Sequence, residues 1–135
     1  DIRKTLGGSG ETTVTASGNT ASVSGYTDGS PTYIQATSGG TSIGITGDGS
    51  ADYTIFVKHT GYAWSSSSVL GSTSTDTMNI VITDTDGSTA ICTMTLSAGQ
   101  AVVLPDTLLG SGCKILAKRG GSTDLACEVM YVPTT

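Results

Sequence analysis

His59 is the only histidine in the 135 residues, so any Ser- or Cys-based hydrolysis would have to be built around it. Four consecutive serines at 65–68 follow it, but a triad also needs a third group to orient the base, and the serines read as solvated loop hydroxyls. Asp84 and Asp86 are close enough in sequence to suggest a glycosidase carboxylate pair. They fall, however, in Asp84-Thr85-Asp86-Gly87-Ser88, a hairpin-turn signal that leaves both carboxylates exposed and ionised. The same run resembles the opening of a calcium loop, yet the position that would supply a bidentate Glu holds Thr95. Gly7-Gly8-Ser9-Gly10 precedes no helix and no Lys-Ser or Lys-Thr pair, which makes it a hinge rather than a phosphate cradle. Cys92, Cys113 and Cys127 are odd in number and widely spaced, fitting neither a disulfide framework nor a zinc site, and are expected to be reduced, small core residues. Tyr62 and Trp64 remain as an aromatic pair, suited to stacking on a sugar or to anchoring a packing contact. The expectation is a chain with no catalytic apparatus, no cofactor and no metal.

The scaffold that positions these residues reads as all-β. Ser and Thr supply about a third of the chain and Gly 19 residues, with one Phe and one Trp, so a core must come from Val, Ile, Leu and Ala. Thr and Ser interleaved with β-branched apolar residues give the alternation of half-buried strands, which distinguishes this composition from low-complexity disorder. A net charge of −5 with only two sequence-adjacent basic pairs, Arg3-Lys4 and Lys118-Arg119, argues against nucleic acid as a partner. No apolar run is long enough for a membrane-spanning helix.

Turn signals recur every eight to twelve residues or so, the spacing of an antiparallel sandwich. Residues 1–10 read as a flexible arm and hinge, and residues 11–135 as one antiparallel β-sandwich domain of jelly-roll or immunoglobulin-like type. Strands are expected from Thr13, at 21–24, 32–37 and 42–46, and at 53–59, the last as a central strand. Residues 61–75 form a long loop or a weak edge strand. The clearest hairpin joins 78–83 to 89–96. A strand over 100–104 should stop at Pro105, which cannot donate into a ladder. Two more, at 113–118 and 125–132, complete roughly ten strands.

One pattern is more specific than composition. Ile55-Phe56-Val57-Lys58-His59-Thr60-Gly61, a Ser-rich loop, Met78-Asn79-Ile80-Val81-Ile82, Leu96-Ser97-Ala98-Gly99-Gln100-Ala101-Val102-Val103-Leu104-Pro105, Ile115-Leu116-Ala117-Lys118 and Glu128-Val129-Met130-Tyr131-Val132 together resemble small virion proteins of tailed bacteriophages, capsid decoration (cement) proteins in particular. The resemblance covers about residues 53–132. It implies a structural protein of the capsid surface that assembles in the host cytoplasm, binds the phage major capsid protein and stabilises its lattice as a homo-oligomer, a trimer or a dimer. The implied capsid-facing element is the arm, through Ile2, Arg3, Lys4 and Leu6. Tyr62, Trp64, Leu108 and Leu109 are candidates for an oligomer or ligand contact, and Val102, Val103 and Leu104 serve either the core or a self-contact. A phage tail or fibre domain that attaches to a host glycan, and a secreted adhesin or pilus subunit, are the alternatives.

Overall fold

The computed structural model describes residues 14–23 and 33–134. Runs in which Val, Ile and Leu alternate with Thr and Ser, broken by Gly or Asp-Gly, form eleven strands there: β1 (Val14–Ser17), β2 (Thr20–Val23), β3 (Tyr33–Ala36), β4 (Thr41–Thr46), β5 (Asp52–Ser65), β6 (Val69–Thr73), β7 (Met78–Thr83), β8 (Ala90–Leu96), β9 (Ala101–Leu108), β10 (Lys114–Arg119) and β11 (Leu125–Thr134). The architecture is all-β and sandwich-like, as the alternation predicts. One sheet runs β1-β2-β3-β11-β5-β6, with β9 also paired to β5, and the other runs β4-β10-β7-β8. All strand pairs within the sheets are antiparallel.

The chain changes sheet at most of its connections, so β10 and β11 insert between strands formed much earlier in the sequence. Residues with one parity on β5 and β11 point inward: Ile55, Val57, Leu125, Cys127 and Val129 meet Ile43, Met78, Ile80, Ile115 and Ala117 of the opposite sheet in one buried cluster. Neither the Phe nor the Trp belongs to it. Aliphatic side chains therefore close the core, as the composition requires.

A backbone bridge joins the two sheets at one end, and glycine contacts extend the β4–β10 ladder at the other. At one end Thr37 bridges to Lys118, and its carbonyl accepts from the Arg119 N–H at 3.0 Å. At the other, the Gly47 N–H donates to the Cys113 carbonyl at 2.8 Å and the Gly112 N–H to the Gly47 carbonyl at 2.9 Å. A Cβ on Gly47 would lie 2.2 Å from the Gly110 oxygen, and one on Gly112 would lie 2.3 Å from the Thr85 oxygen. Only glycine lets these loops approach so closely.

Two sequence expectations need correction, and a third resolves to one of its alternatives. Residues 61–75 take the edge-strand alternative, because β5 continues through Trp64 and turns back as β6, which ends its sheet. Strand β9 does not stop at Pro105 but runs to Leu108: the register against β5 shifts between Tyr53 and Ile55, and Asp106 takes φ 50°, a bulge that absorbs the missing N–H. Cys113 and Cys127 are buried as expected, whereas Cys92 is exposed. Its partner Ile82 points toward the core, but Cys92 lies on the last strand of its sheet, where little opposes it.

Candidate functional site

The central strand β5 carries apolar residues of both parities, and only one parity is used by the core. Ile55, Val57 and His59 are fully buried. On the opposite face of the same sheet, cross-strand register sets Val103 beside Phe56 and Phe56 beside Met130, while Thr54 pairs with Val132 and Asp52 with Leu108. Val103, Leu108 and Val132 are 54%, 55% and 45% exposed, making them three of the five exposed large hydrophobic residues among those described. Phe56 and Met130 are half-buried between them. The result is an apolar outer face spanning β9, β5 and β11. Lys58 lies between Ala101 and Glu128 in register at one side of it.

His59 marks the point on β5 where its edge changes partner from β9 to β6. Its backbone N–H donates to the Gln100 carbonyl at 2.9 Å and its carbonyl accepts from Gly99 N–H at 2.8 Å. Nδ1 accepts from the Gly61 N–H at 3.0 Å, which leaves Nε2 as the donor to the Asp76 carbonyl at 2.7 Å. Both ring nitrogens are therefore committed to main chain, and the ring ties β5 to the segment that leads into β7. Among the described residues, no serine hydroxyl partners it. The Ser65 and Ser67 hydroxyls instead bond each other at 3.1 Å in the β5–β6 turn.

That turn ends on Val69, which adopts φ 66° although it is β-branched and only 1% exposed. Its side chain packs with Ala21 and Tyr33 in a second buried cluster, against which Trp64 and Leu70 also pack. Trp64 is thus a half-buried packing residue, while Tyr62, two residues away, is 37% exposed. Of the other sequence candidates, Leu108 is on the outer apolar face and Leu109 is in the main core. Val102 and Leu104 pack partly buried against that core, and Val103 faces outward. Ile2, Arg3, Lys4 and Leu6 lie outside the described residues.

Several carboxylates are occupied by turns and ties. Asp86 accepts from the Thr89 hydroxyl and from the Ser88 and Thr89 N–H groups, which holds its pKa down at about 2. Asp48 accepts from the Ala51 and Ser50 N–H groups and is likewise held below the usual carboxylate range. Asp124 receives Arg119 at 2.6 Å and Gln35 Nε2 at 2.7 Å, linking β3 to the β10–β11 connection. Burial pushes the Cys127 thiol up, against a smaller opposing effect of a backbone hydrogen bond, so it stays protonated and unreactive. Among the described residues, no group of three or more His, Cys, Asp or Glu side chains could hold a metal ion.

Phe56, Met130 and Val132 were not singled out as site candidates by the sequence reading, although one signal was present: Phe56 sits between Ile55 and Val57, so both faces of β5 are apolar there. Comparison with protein-family models, with curated proteins and with solved structures finds no match.

Proposed function

We propose that this chain is a structural, non-enzymatic virion protein that docks on the outer surface of a tailed-phage capsid and stabilises the coat-protein lattice. The carrying observation is the outer face of the larger sheet, where Val103, Leu108 and Val132 stand exposed around Phe56 and Met130. A cluster of this kind on a strand face opposite the core is the chemistry of a protein contact, since exposing it to water costs free energy that docking recovers. Adding such contacts between coat subunits stabilises the shell by mass action and needs no chemical step. The sequence resemblance over residues 53–132 points the same way. It adds the arm residues Ile2, Arg3, Lys4 and Leu6 as a second contact with the coat protein.

Sugar attachment at Tyr62 and Trp64 is less well supported, because Trp64 packs on the Ala21, Tyr33 and Val69 cluster rather than offering an open ring face. Cryo-electron microscopy of the particle that carries this chain tests the proposal. Many copies on the outer shell, with β9, β5 and β11 against coat protein, are expected. Copies confined to the tail, or absent from the virion, would overturn it.

A further inference from the structure

We propose that the outer edge of β8 is a two-fold self-association surface, on which residues 92–96 of two copies pair antiparallel. Strand β8 ends its sheet, and no described strand takes up its far edge. Such an edge presents unpaired N–H and C=O groups, and proteins ordinarily guard it with charge, proline, glycine kinks or bulges. The other terminal strands carry these guards or are short: β4 holds Gly44 at φ 107°, β9 holds Pro105 and the Asp106 bulge, β6 has 5 residues and a register shift against β5, and β1 has 4 residues. On β8 the single irregularity is at Ile91, and from Cys92 to Leu96 the ladder against β7 is continuous. That stretch reads Cys-Thr-Met-Thr-Leu, and no Asp, Glu, Lys, Arg or His occurs from residue 87 to residue 105.

Charge identifies the occupant. In a two-fold antiparallel pairing the residue on the axis meets its own copy and the residues flanking it meet each other, so a charge near the axis is brought within direct or diagonal reach of an identical charge. Residues 92–96 offer none. Centring the axis on a residue also keeps the faces in phase: Cys92, Met94 and Leu96, on the core side, meet one another, and so do Thr93 and Thr95 on the outer side. The pairing would cover Cys92 and extend over Met94 and Ile82, which pack only partly buried against the core. A continuous sheet of eight strands, four from each copy, results.

The test is sedimentation equilibrium of the full chain over a concentration series, with Thr93→Lys and Thr93→Glu. Thr93 is exposed, so neither substitution removes core contacts, and unchanged melting curves verify the folds. The wild type should dimerise, each variant alone should associate at least about ten-fold more weakly, and an equimolar mixture of the two should regain the dimer. A wild type that stays monomeric throughout, or a dimer indifferent to Thr93→Lys, would overturn the inference. Neither result bears on the capsid-docking face, which lies on the other sheet.

Discussion

The two faces of β5 use similar side chains to opposite ends. Toward the core, Ile55 and Val57 are fully buried against the second sheet, whereas one residue away Phe56 lies in a row whose neighbours Val103, Leu108 and Val132 are about half exposed. Apolar character alone therefore does not say which face is core. What decides is which face the β4-β10-β7-β8 sheet covers, and that depends on pairings across most of the chain. Among the described residues, no second sheet covers the outer face.

Substitution separates the two roles, and the largest effect belongs inside. Ile55→Ala should cost about 2–5 kcal/mol in denaturant unfolding, through lost burial and the cavity left behind. Leu108→Ser should stay within about 0.5 kcal/mol on the same measurement, because an exposed side chain is removed. If the two cost alike, the faces are not distinct in the way described. The inward side has a polar member as well. His59→Phe keeps a ring but strips partners from the Gly61 N–H and the Asp76 carbonyl, at roughly 1–3 kcal/mol for each buried group left unpaired.

Smaller effects probe the periphery. Val69→Gly relieves a left-handed backbone but gives up a buried side chain, and a net loss of about 1 kcal/mol is expected because burial outweighs the strain. A stabilised variant would mean that the second cluster contributes little. The smallest change is at the β7–β8 turn. Asp86 is held at about 2, below the ordinary carboxylate value, so its contribution is fully present above about pH 4 and disappears as pH falls through 2. An Asp86→Asn variant should lose that part of the acid dependence, read from its melting temperature against the wild type between those pH values.

Much of the fold was legible where local signals agreed. Strands β7 and β8 combine alternation with an Asp-Gly turn, and the structure pairs them as read. The continuation of β5 past Gly61 was not, because Gly61 and the serines from 65 to 68 bracket Tyr62-Ala63-Trp64 with loop signals, and Trp64 is held by Tyr33 and Ala21 from distant strands. Pro105 misled for a related reason: a bulge, set by pairing with β5, lets a strand pass a residue that breaks a regular ladder. The outer apolar face was half visible. Leu108 was singled out, yet its grouping with Phe56, Met130 and Val132 follows from register between β9, β5 and β11, which no single strand encodes.

The proposed docking is tested most directly by co-sedimentation of the chain with capsids of the particle it is proposed to decorate, stripped of it beforehand, comparing the wild type with a Val103→Asp/Leu108→Asp variant. The wild type is expected to pellet with the capsids while the variant, equally stable in thermal melting, remains in the supernatant. Equal binding by the two would contradict it and would detach the apolar outer face from any role in holding the shell.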